Sequence, residues 1–145
     1  MKLIETLKTH QYSYFTEGFE TEKFDLSEAE IDGNIITFIV SFQTIDRFNL
    51  PFLLLDRATQ SLGFQACSYL LAQQGQIFRF LFLKRVNWQF LRPIRPHRSV
   101  SIEAQYNCAF ENSRKAQFSF SGTINGSSAV FEIEIDVFKL ERVSI

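Results

Sequence analysis

Polar and apolar residues alternate along most of this chain, and the alternation breaks once. Strand signals begin at about Phe24. The run Ile35-Ile36-Thr37-Phe38-Ile39-Val40-Ser41-Phe42, rich in β-branched and aromatic residues, follows the turn-forming Asp32-Gly33-Asn34. After the break, Phe78, Phe80 and Phe82 recur at every second position within Ile77–Trp88. Val100, Ile102, Ala104, Tyr106, Cys108 and Phe110 then alternate with Ser101, Glu103, Gln105, Asn107 and Ala109. Phe118 and Phe120 repeat the spacing, and Phe131, Ile133, Ile135 and Val137 alternate with Glu132, Glu134 and Asp136. A period of two on this scale predicts antiparallel strands with one wet face. Asn125-Gly126 between the last two runs predicts a hairpin.

The break runs from Leu50 to Gln74. Arg57–Gln74 contains Ala, Leu, Gln and Ser, no Pro and one Gly, which predicts a helix of about five turns ending at a Gly75 cap. Leu53, Leu54, Leu55, Ala58, Leu62, Phe64, Ala66, Cys67, Leu70 and Leu71 leave little of its circumference polar, and such a helix is expected to be buried. The order strand, one long helix and then four strands has one compact solution, an α+β domain whose sheet curls around the helix. A single domain over residues 1–145 is predicted. Residues 1–23 form an N-terminal extension in which Leu3–Thr9 has the makings of a short helix.

Composition adds one unusual feature, 17 phenylalanines against one Met and one Trp. So many flat apolar rings suit either a Phe-biased core or a tunnel wall that touches aliphatic chains. The net charge of −1 gives no global field for nucleic acid, and no apolar stretch approaches the roughly 20 residues of a membrane helix. The N-terminus carries Glu5 and lacks a continuous apolar segment, so it does not read as a signal peptide. Cys67 and Cys108 form no C-x-x-C pair, and no Cys/His cluster has metal spacing. A reduced, cytoplasmic protein without a structural metal is the expectation.

Three stretches carry a resemblance. Leu53-Leu54-Leu55-Asp56-Arg57-Ala58-Thr59-Gln60-Ser61-Leu62-Gly63-Phe64 sets an acidic residue after a Pro-led apolar run, Gln four positions on and a small residue three further. Phe82–Pro96 carries an aromatic residue and an Arg92-Pro93-Ile94-Arg95-Pro96 run leading into the next strand. The distal strands join at Asn125-Gly126. Together they resemble the β-hydroxyacyl-ACP dehydratases, over roughly Gly33 to Leu140. The resemblance implies a hotdog fold. It also implies an acyl chain carried as a thioester on acyl carrier protein or coenzyme A, no cofactor of the protein's own, and a homodimer or larger homo-oligomer. One departure bears on activity. The dehydratases carry a catalytic histidine about fourteen residues before the acidic one. Here that position is Phe42, and no His lies between residues 11 and 96.

The remaining chemistry centres on Asp56. A carboxylate at the start of an apolar helix is pulled by desolvation in one direction and by the helix N-terminus in the other, and either role, acid or base, is open to it. It could equally steady the first turn or pair with Arg57. Gln60, one turn on, is placed to orient the carboxylate or a substrate carbonyl. The free N–H groups of the helix start could polarise a thioester carbonyl, and Asn49 could assist as an oxyanion donor. Some hotdog thioesterases resemble this chain in having a helix carboxylate near Asp56. Residues 79–98 hold six of the 15 basic residues, and of these Lys84, Arg85, Arg92, Arg95 and Arg98 are candidates to bind a phosphate or an acidic carrier. Three readings follow: a dehydratase-like enzyme, a thioesterase using Asp56, and an acyl-binding or partner subunit without chemistry.

Overall fold

The computed structural model describes residues 21–140, together with the single positions 5 and 9. Apart from those two positions, the helix expected over Leu3–Thr9 lies outside the described residues. The elements are β1 (Lys23–Asp32), β2 (Ile35–Gln43), α1 (Phe52–Gln73), β3 (Phe78–Phe90), β4 (Val100–Glu111), β5 (Lys115–Ile124) and β6 (Ala129–Lys139). Every pairing is antiparallel, and the six strands lie in the order β1-β2-β4-β5-β6-β3. The helix crosses one face of this sheet on its way from β2 to the far edge strand β3. This is the α+β hotdog architecture.

Two strands, not the one expected, precede the helix, because Gly33 at φ 61° turns the chain between β1 and β2, and four follow. The strands keep their alternation because one face is dry: Phe38 sits opposite Ile102, Phe118 opposite Ile135 and Phe120 opposite Ile133, all in the core. Asn125 and Gly126 adopt positive φ (51° and 79°) at the β5–β6 turn, the conformation that Asn and Gly tolerate best. The turn spans the four residues 125–128, and the Ser128 N–H donates to the Ile124 carbonyl across it.

The helix differs from the expectation at its start and around its circumference. It begins at Phe52 rather than Arg57, because Pro51 supplies an extended residue with a fixed φ of −63° from which the first turn can launch. Its end is as the glycine predicts. Gly75 has φ 70°, its N–H donates to the Ala72 carbonyl, and the Gln76 N–H reaches back to the Leu71 carbonyl. Only one face is buried, through Leu54, Leu55, Ala58, Thr59, Leu62, Gly63, Ala66, Cys67 and Leu71. One sheet covers one side of one helix, so Leu53, Phe64 and Leu70 stay half-buried and Tyr69 is exposed.

No tunnel runs between helix and sheet among the described residues. The cavity bounded by Phe38, Thr59, Leu62, Ile102, Phe120, Phe131 and Ile133 offers about 10 Å³, room for about one water and not for an acyl chain. Two glycines make this close approach possible. A β-carbon on Gly63 would meet the Ile135 Cδ1 at 3.1 Å, and one on Gly122 would run into the Glu103 carbonyl oxygen and the Phe131 ring. Cys67 is fully enclosed, and burial pushes its thiol up to about 12. Cys108 is exposed on β4.

The phenylalanines therefore do not line a tunnel. Phe38, Phe118, Phe120 and Phe131 are core, whereas Phe48, Phe52, Phe78, Phe80, Phe82, Phe90 and Phe110 are exposed. The phase of β3 explains part of this. Leu81 and Leu83 pair with the buried Val137 and Ile135 and turn inward, so Phe80 and Phe82 face out. On β4 an irregularity between Cys108 and Phe110 breaks the register and leaves Phe110 outside. No helix of the described residues is long and apolar enough to cross a membrane.

Gly122→Ala is expected to destabilise the fold by about 2 kcal/mol, because backbone and a packed ring, not a flexible side chain, occupy the space its methyl needs. Chemical denaturation of the purified variant measures this. An unchanged midpoint would mean that the sheet yields at this point.

Candidate active site

The chain places Phe52, Asp56 and Gln60 at successive intervals of four along α1, so they share one side of the helix. That side looks toward β3. Asp56 is the fifth helical residue, one turn inside the N-terminus rather than at it. Its two carboxylate oxygens have separate donors. Gln60 Nε2 donates to Oδ2 at 2.7 Å, and Trp88 Nε1 donates to Oδ1 at 2.9 Å. Two N–H donors, one on each oxygen, suit an acceptor-only carboxylate and leave each oxygen a further lone pair. The group is half-buried, and among the described residues no cation pairs with it. Arg57 turns the other way, donating to the Glu22 carbonyl at 3.1 Å and lying over the Phe24 ring, so the anticipated Asp56–Arg57 pair is not formed.

Trp88 is the partner that sequence reasoning missed. It lies opposite Phe131 on the dry face of the sheet, and its indole is held by three rings. Phe90 stacks on it at 5.6 Å, Phe131 lies tilted at 5.1 Å and Phe52 meets it edge-on at 6.0 Å. The one signal was chemical. A lone Trp on a strand otherwise rich in Phe, once partly buried, must find an acceptor for its N–H.

Asn49 stands at the mouth. Asp46 Oδ1 accepts the backbone N–H groups of both Phe48 and Asn49, closing a tight turn before the helix. Arg95 donates to the Phe48 carbonyl at 2.8 Å, and the Leu50 N–H donates to the Ile94 carbonyl at 2.6 Å, so this turn is tied to the β3–β4 loop. Between them lies a surface pocket of about 380 Å³, lined by Asn49, Leu50, Phe52, Phe90, Leu91, Arg92, Pro93 and Ile94. It shares Phe52 and Phe90 with the cage around Trp88. Pro51 gives the helix start no side-chain cap, so the first amide N–H groups of α1 beside this pocket keep their capacity to bind an acceptor. Of two larger depressions, one of about 750 Å³ is lined by Trp88, Gly122 and Phe131 with neighbouring strand residues, and one of about 630 Å³ lies at the C-terminal end of α1. Neither they nor the pocket at the helix start is lined by Asp56 or Gln60.

The predicted basic patch divides in two. Arg92 lines the pocket, Arg95 braces the turn, and Arg98 is exposed in the same 91–99 loop. Lys84 and Arg85 lie mid-strand. Lys84 precedes the strand end at Phe90 by six residues, about 20 Å along the strand. Arg85 sits opposite Glu134 and against Asn87 on the outer face. His97 is exposed in the 91–99 loop, and no histidine bonds to Asp56 among the described residues. No group of His, Cys, Asp and Glu among the described residues has the arrangement of a metal site.

No family model matches this chain, and no curated protein matches it in sequence. Solved structures do share its fold. A mutant thioesterase from Pseudomonas aeruginosa superposes with a TM-score of 0.53 at 16% identity, over 94% of this chain and 92% of the other. The YhdA protein of Lactococcus lactis gives 0.55 at 12% identity, over 97% and 100%. A hypothetical thioesterase of Streptococcus pneumoniae, solved with coenzyme A, gives 0.50 at 9% identity, over 84% and 92%. At these identities the likeness establishes the hotdog fold and nothing finer.

Proposed function

We propose that this chain hydrolyses an acyl thioester, with Asp56 as the group that activates water. The observation that carries the reading is the Asp56 carboxylate, held by Trp88 and Gln60 one turn inside an uncapped helix start. The pocket at that start reaches it only through Phe52 and Phe90, which line the pocket and pack on Trp88. In this reading the thioester carbonyl turns its oxygen toward the first amide N–H groups of α1, with Asn49 as a further donor at the mouth. Asp56 takes a proton from a water whose oxygen attacks the carbonyl carbon. The tetrahedral intermediate collapses, the C–S bond breaks, and the leaving thiolate takes the proton back from Asp56. The products are a free acid and a free thiol. Dehydration of a 3-hydroxyacyl group is the weaker reading. It needs a second proton-transfer group, the α-proton base, and Asp56 has one amide and one indole N–H for neighbours rather than an imidazole.

Asp56→Asn is expected to lower kcat/KM for acyl-CoA hydrolysis by about 10² to 10⁴, while circular dichroism stays that of the wild type. Thiol release followed with a chromogenic disulfide measures the rate, and wild-type turnover in the variant would remove Asp56 from the chemistry.

Arg92 and Arg98 are the basic groups placed to meet the phosphates of coenzyme A or the acidic surface of an acyl carrier protein. Arg92→Ala combined with Arg98→Ala is expected to raise KM about tenfold and to flatten its dependence on salt. Lys84→Ala with Arg85→Ala, set well up the strand, should leave KM alone. Equal effects from the two pairs would dissolve the distinction.

The reading includes a homodimer. Among the described residues β3 is a long edge strand with one side unpaired, and it carries the exposed Phe78, Phe80, Phe82 and Phe90. An open edge with this much apolar surface is an aggregation hazard unless it is covered, and a second copy pairing along it would cover it. Light scattering should give twice the chain mass at micromolar concentration. A monodisperse monomer would contradict this part of the reading.

A further inference from the structure

The structure assigns Trp88 as the residue that positions the Asp56 carboxylate: its indole N–H, fixed in direction by three phenylalanine rings, clamps Oδ1 while Gln60 holds Oδ2. This rests on the hydrolytic reading of Asp56 and deepens it.

The argument starts from rotation. An aspartate carboxylate turns easily about its last side-chain torsion, which has a broad profile. A donor on each oxygen removes that freedom. Gln60 alone is a soft clamp, since it has three torsions of its own and springs from the same helix as Asp56. Trp88 comes from a different element and is stiff. Phe90 lies nearly parallel to it, with an interplanar angle of 9°. Phe52 meets it at 83° from the helix, and Phe131 supports it from β6. Phe52 also packs edge-on against Phe90 at 5.4 Å, so the cage closes on itself. The absence of a side chain at Gly122 gives Phe131 its place. The direction of the N–H is thus set by packing from three elements, and the carboxylate inherits that direction. The same contact ties the helix to the edge strand at the level of the pocket.

Trp88 is the chain's one tryptophan, which makes the test specific. Uniform replacement of tryptophan by its benzothiophene isostere keeps the ring's shape and exchanges the N–H for sulfur. Expected is a fall in kcat of about ten- to a hundredfold with KM unchanged, since a charge-assisted hydrogen bond acts on the reacting group and not on the pocket. Trp88→Phe, if it folds, should do the same. A merely structural tryptophan would move the melting temperature and leave kcat alone in the isostere, and that outcome overturns the proposal. The second readout needs no activity. The native protein should show one indole N–H cross-peak in a ¹H–¹⁵N spectrum, displaced downfield by the carboxylate and moved upfield in Asp56→Ala. A cross-peak indifferent to Asp56→Ala refutes the contact. If the cross-peak follows Asp56 but the wild type hydrolyses no thioester, the hydrolytic reading fails. The contact then remains structural, which overturns the positioning role without touching the geometry.

Discussion

The helix lies so close to the sheet that the cavity between them has room for little more than a water, and much of the structure follows from that closeness. Gly63 lets α1 settle on Ile135, and Gly122 lets the Phe131 ring lie flat on the neighbouring strand. The cavity between Thr59, Leu62 and the sheet offers about 10 Å³. Among the described residues the candidate chemistry therefore lies where the helix meets an edge. The edge in question is β3. There the helix presents Phe52, Asp56 and Gln60, and the strand answers with Trp88 and Phe90.

That junction joins two kinds of order. The aromatic cage is apolar and assembled by ring contacts. The Asp56 carboxylate is polar and, without the cage, would be held by Gln60 alone. Their meeting through one N–H converts packing rigidity into chemical orientation, which is how a small domain without a deep cavity can still fix a reacting group. The pocket beside it supplies apolar contact, one guanidinium from Arg92 and the uncapped end of a helix. Each is modest alone, and they converge within two turns of α1 and one loop.

Much of the fold was legible in the sequence. Period-two alternation located the strands because each has one dry face, and Gly75 marked the helix end because only a residue at ease with positive φ can close that turn. Two features misled. Pro51 hid the true start of the helix, since an apolar run behind a proline reads as extended chain as easily as a first turn. The full apolar circumference of α1 suggested complete burial, but a single sheet covers one side, and periodicity cannot say what covers the other. The phenylalanine count pointed inward, whereas β3 turns Phe80 and Phe82 outward through its phase against β6. Asp56 and Gln60 stood out in the sequence through the motif that carries the resemblance and through their spacing of four, and the structure brings them together. Trp88 did not stand out, because its contact with Asp56 spans 32 residues and depends on register. The basic patch looked continuous in sequence, but a strand end separates Lys84 and Arg85 from the loop arginines.

The most direct measurement is native mass spectrometry of the unmodified protein incubated with acyl-CoA, acyl carrier protein thioesters and their 3-hydroxyacyl forms. The account predicts release of a free acid and a free thiol. Loss of water from the hydroxyacyl species with the thioester intact would make this a dehydratase and contradict the account. Binding without any change in ligand mass would contradict it as well, and would leave Asp56 as part of a binding surface.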